Sequence, residues 1–72
     1  MVSSDVIVRF SKHLRYLRER HGLSQQQLAE LADIEYKHVQ RLESRRPCDV
    51  KLSTLHKLAR AFKVPLSKLL TF

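Results

Sequence analysis

Apolar residues recur at helical spacing along most of the chain. Val6, Phe10, Leu14 and Leu17 fall on one face, with Arg9, Lys12, Arg15 and Arg20 elsewhere, which predicts a first helix from about Asp5 to His21. Ser4 is placed to cap its start, and Gly22 stands where a left-handed helix end is wanted. A second helix is expected to start at Ser24. There Ser24 and Gln27 make the S-x-x-Q capping box, and Leu28, Leu31 and Ala32 face inward until the helix ends near Ala32. After Asp33 and Ile34 a third helix runs to about Ser44, with Val39 and Leu42 inside and Pro47 stopping any continuation. A fourth starts near Ser53, its buried stripe made by Leu55, Leu58, Ala59 and Phe62, with Leu52 tucked in just before it. Val64 and Pro65 break the chain. Leu66 to Thr71 form a last turn or two, with Leu66 and Leu69 inward.

The expectation is therefore all-α, with five helices in one domain spanning residues 1–72. One Gly and two Pro leave little room for hairpins. A chain of 72 residues buries only about 60% of the surface its unfolded form exposes, so stability is marginal. The lone Cys48 cannot form an internal disulfide, and no Cys/His spacing suits a structural zinc. Helix packing must supply the core, reinforced where a second copy of the chain joins it.

Charge narrows the partners. Lys and Arg total 14 against 7 acids, a net of +7, and no acid follows Asp49 whereas Lys51, Lys57, Arg60, Lys63 and Lys68 do. This excess favours a polyanion over a merely solvated basic surface. No signal peptide and no membrane-length apolar run is visible, and a single cysteine suits a reducing compartment, so a cytoplasmic place is expected.

Residues 24–44 carry the functional signal. A short capped helix, a tight turn and a second short helix with a polar outer face make a helix-turn-helix pattern, whose second helix enters the major groove of double-stranded DNA. Lys37 and Arg41 can donate to guanine O6 and N7, and Gln40 can pair with adenine. Tyr36 can bond a base or phosphate, or meet a thymine methyl; the plain alternative is an exposed tyrosine.

The stretches LRYLRERHGLSQQQLAELADIEYKHVQRLES and LSTLHKLARAFKVPLSKLL resemble the Cro/CI-type (XRE) helix-turn-helix family of phage repressors and restriction-modification controller proteins. The resemblance spans nearly the whole chain and implies a compact lambda-repressor-like domain. It implies base reading by Tyr36, Lys37 and Arg41. It also implies a phosphate or outermost-base contact at Gln25, edge positions at Glu35 and His38, and phosphate grip by Arg45, Arg46 and Lys51. Arg18 and Glu43 match a pair that ties the first helix to the third. The chain departs from the family at Asp33, Glu35 and Arg45, where Gly, Ser or Thr, and Gly are usual.

Catalysis finds no support: no Gly-rich phosphate loop, nucleophile elbow or H-E-x-x-H is present. The four histidines, His13, His21, His38 and His56, lack ligand spacing, so no metal, cofactor or small-molecule ligand is expected. A redox role for Cys48 would need a lowered thiol pKa. The leading reading is a transcriptional regulator acting as a homodimer through Leu70 and Phe72. The alternative to that interface is that Phe72 is a frayed or cut end. The alternative function is an antitoxin-type or adaptor interaction module of the same fold. An RNA module is disfavoured, because clustered exposed aromatics are lacking.

Overall fold

The computed structural model describes the backbone of residues 2–72 and the side chains of residues 5–72. The helices are α1 (Val2–Arg20), α2 (Gln25–Ala32), α3 (Tyr36–Leu42), α4 (Leu52–Phe62) and α5 (Leu66–Leu69); no strand occurs among the described residues. Each helix sends at least one side chain into a common core. Leu14, Leu28, Val39, Leu42, Leu58 and Leu69 are fully buried, and Phe10 and Phe62 join the same core.

Three helix ends share one device. After α1, α2 and α4 a residue turns left-handed: Gly22 at φ 66°, Asp33 at φ 59° and Lys63 at φ 58°. In each case the next amide reaches back to the carbonyl five residues earlier: Leu23 to Arg18 (3.1 Å), Ile34 to Ala29 (3.0 Å) and Val64 to Ala59 (3.0 Å). This Schellman arrangement satisfies carbonyls the helix leaves open. The three residues that follow the left-handed turn are apolar, and all pack against the core. Asp33 thus adopts the conformation for which Gly is usual; a short polar side chain tolerates it better than most. The α2 start is the expected capping box: Ser24 Oγ accepts from Gln27 N–H at 3.0 Å, and Gln27 Oε1 accepts from Ser24 N–H at 2.8 Å.

Several expectations need correction. Helix α1 begins at Val2, so Ser4 is already inside it and is not its cap; the Ser4 side chain lies outside the described residues. Val6 is 49% exposed. At 19 residues α1 is about 28 Å long, nearly the 31 Å length of the molecule, and its first turns outrun the shorter helices it packs on. Leu31 is 59% exposed, because Leu28, Ala29 and Ala32 already define the inner stripe of α2. Leu52 is 68% exposed: it opens α4 instead of preceding it, and Thr54, two residues on, is buried instead. The last helix is a single turn, Leu66–Leu69.

Candidate nucleic-acid interface

Helix α3 has seven residues, and its two buried side chains, Val39 and Leu42, fix which way it faces. The opposite arc carries Tyr36, Lys37, Gln40 and Arg41, all exposed. Lys37 and Arg41 lie one turn apart and, with Glu35 and His38, line a shallow depression of about 250 Å³. Like charges at this spacing weaken a helix by a few tenths of a kcal/mol. No ion pair among the described residues relieves either. His38 is half-buried at the edge of the face. Glu35 precedes the helix in extended conformation but forms no side-chain cap.

Besides the packing of Val39 and Leu42, the end of α3 is tied across the domain by an ion pair. Arg18 Nε and Nη2 donate to Glu43 Oε2 and Oε1 at 2.7 and 2.9 Å, and Nη1 donates to the Leu23 carbonyl at 2.7 Å. The two side chains are 10% and 1% exposed. The hydrogen bonds to Glu43 hold the Arg18 guanidinium pKa above its ordinary value; burial opposes this, and the charges of Glu43 and Glu19 add to it. Gln25 Nε2 also donates to Glu43 Oε1, at 3.0 Å. One carboxylate therefore links α1, the start of α2 and the end of α3. The Gln25 contact is invisible in the sequence, since only the fold brings residues 18 positions apart together.

Residues 13–72 match the family model for the Cro/C1-type helix-turn-helix DNA-binding domain. The chain belongs to this family. Similar solved structures include the following two. The restriction-modification controller protein C.AhdI from Aeromonas hydrophila aligns with TM-score 0.81 and 36% identity, over 88% of this chain and 94% of that one. The hypothetical transcription factor NHTF from Neisseria aligns with TM-score 0.82 and 29% identity, over 92% of this chain and 73% of that one. No curated protein matches significantly.

Within this Cro/C1-type domain, α2 and α3 are joined through Asp33, Ile34 and Glu35. Arg45, Arg46 and Lys51 are exposed in the segment between α3 and α4, which also carries the half-buried Cys48. At the far end of the chain Leu70 is 42% and Phe72 40% exposed. Phe72, expected to point away from the core, instead turns back on its own α1. Its ring lies 6.0 Å from Phe10 and 5.4 Å from His13, with the Arg9 guanidinium 6.0 Å above it. His21 packs on Phe62 at 4.9 Å, and with its proton on Nδ1 donates to the Leu17 carbonyl at 2.9 Å. Among the described residues no helix is long and apolar enough to cross a membrane.

Proposed function

We propose that the chain is a transcriptional regulator that binds a specific operator in double-stranded DNA as a homodimer, in the cytoplasm. The observation that carries this is the outer face of α3: four exposed side chains able to read base edges, on a helix clamped from behind by Glu43. Arg41 and Lys37 donate to guanine, Gln40 pairs with adenine, and Tyr36 meets a base or phosphate at the N-terminal end of the helix. Glu35 and His38 border the groove. Arg45, Arg46 and Lys51 bind phosphate. Gln25 uses one amide hydrogen on Glu43 and keeps the other for a phosphate, so the clamp also aims this contact.

A homodimer follows from information content. One domain reads only a few base pairs, and two half-sites about one helical turn apart give the discrimination a genome demands. The resemblance to small regulators that pair through the last helix supports an interface around α5. Phe72 packs on Phe10, yet it and Leu70 are still 40% and 42% exposed there. The similarity to a restriction-modification controller protein supports a regulatory role. The test is selection of tight binders from a pool of randomised duplexes. A recovered palindrome bound far better than its scrambled version supports the proposal; a pool that never enriches refutes it.

A further inference from the structure

We propose that the DNA footprint continues beyond the helix-turn-helix onto α1, where Lys12 and Arg15 join Arg45 in holding a backbone phosphate that flanks the base-read segment. This rests on the DNA-binding reading above.

Val8, Ser11, Lys12 and Arg15 recur at three- and four-residue spacing and share one face of α1. That face meets the end of α3, and with Glu43, Ser44 and Arg45 it encloses a cleft of about 200 Å³. Three cations from two elements converge there. Glu43 is the one acid in the lining, and its oxygens are already taken by Arg18 and Gln25. Arg15 has Glu19 at 3.7 Å, but both side chains are more than half exposed, and such pairs are weak and screened by salt. Arg15 can therefore exchange Glu19 for a phosphate. Lys12 enters no ion pair among the described residues. With Glu43 neutralised by Arg18, the remaining charges of the cleft are of one sign, and such a concave surface focuses potential more than a flat solvated face does.

The cleft is also continuous with the proposed interface. On one side, Val8 and Arg45 line a second depression that adds Arg46 and Pro47. On the other, Glu43 holds Gln25 at the start of α2. Donors thus run in a strip from α2, past Glu43, to α1 and the segment after α3.

The test compares the unaltered chain with Lys12→Gln/Arg15→Gln and with Lys63→Gln/Lys68→Gln, which removes the same charge from α5 and the end of α4. The probe is the duplex recovered by selection, both trimmed to the base-read segment and extended by about 10 base pairs on each side, one helical turn. Circular dichroism checks that each variant is folded. On the extended duplex, Lys12→Gln/Arg15→Gln is expected to lower the slope of log K against log salt by about one unit per protomer, for the one phosphate lost, while the control pair keeps the original slope. On the trimmed duplex the α1 variant should match the unaltered chain. An unchanged slope on the extended duplex, or an equal loss in the control pair, overturns the inference. If the unaltered chain selects no duplex at all, the DNA-binding reading fails and takes this with it; selective binding with an unchanged slope sinks only the α1 contact.

Discussion

Arg18 and Glu43, 25 residues apart in sequence, meet through two parallel hydrogen bonds of 2.7 and 2.9 Å in a nearly water-free setting. Bidentate charge-assisted pairs combine strength with fixed orientation. Here the orientation matters most, because Glu43 directly follows α3 and also holds Gln25. The pair ties the end of α3 to α1 and so helps to set the direction of the outer face of α3.

Removing one partner leaves a buried charge alone. Glu43→Ala should cost about 3–5 kcal/mol. A domain of 72 residues has roughly 4–11 kcal/mol in total, so the variant is expected to lose a large share of its stability and to unfold at a much lower urea concentration. Replacing both partners, Arg18→Met with Glu43→Leu, should cost less than Glu43→Ala alone, since no orphan charge remains. Urea unfolding of the single and double variants measures this. A Glu43→Ala midpoint equal to the original would mean that the pair contributes nothing.

The left-handed helix ends give a matched pair of stability predictions. Gly22→Ala meets no neighbouring atom within 4 Å, so its cost is backbone strain alone, about 1 kcal/mol. Lys63→Gly is the reverse change at the same geometry and should gain up to about 1 kcal/mol. Thermal unfolding should show melting temperatures moving in opposite directions. Movement in the same direction would show that contacts, not backbone conformation, govern these ends.

Much of this architecture is legible in the chain because local rules agree with the fold. The capping box at Ser24, the stop at Gly22 and the stripe from Leu55 to Phe62 each depend on residues a few positions apart. The misread positions share a physical reason. Leu31, Leu52 and Val6 have apolar side chains at near-helical spacing, but whether a stripe residue is buried depends on how far its neighbours reach. Helix α1 outruns its neighbours, and the inner face of α2 is filled by small Ala29 and Ala32. Phe72 was unreadable for the same reason, since its partner Phe10 lies at the other end of the chain. In the candidate site, the outward arc of α3 follows directly from Val39 and Leu42. The Gln25 contact to Glu43 depends on tertiary structure alone.

The segment between α3 and α4 should contribute affinity without sequence preference. Replacing Arg45, Arg46 and Lys51 by Ala together should weaken binding to selected and scrambled duplexes alike. The salt slope should fall by about three units per protomer, one for each lost phosphate contact. An unchanged slope would put these side chains off the DNA.

Assembly should depend on Leu70 more than on Phe72. Sedimentation equilibrium is expected to show a dimer at micromolar concentration, weakened by Leu70→Asp. Phe72→Ser should lower the melting temperature by uncovering Phe10 and His13, with a smaller effect on the dimer. A monomer at every concentration, and no dimer on DNA, would refute the interface.

The most direct test is the affinity of Arg41→Ala for the selected duplex and for its scrambled version. Arg41 is exposed and makes no side-chain contact that the fold needs, so the variant should stay folded. A base-reading arginine contributes about 1–3 kcal/mol of discrimination. The expected result is a loss of about 5- to 150-fold on the selected duplex, with relaxed preference at one base pair and a much smaller change on the scrambled one. Equal affinities for the variant and the original chain on both duplexes would contradict the reading of α3 as the recognition helix.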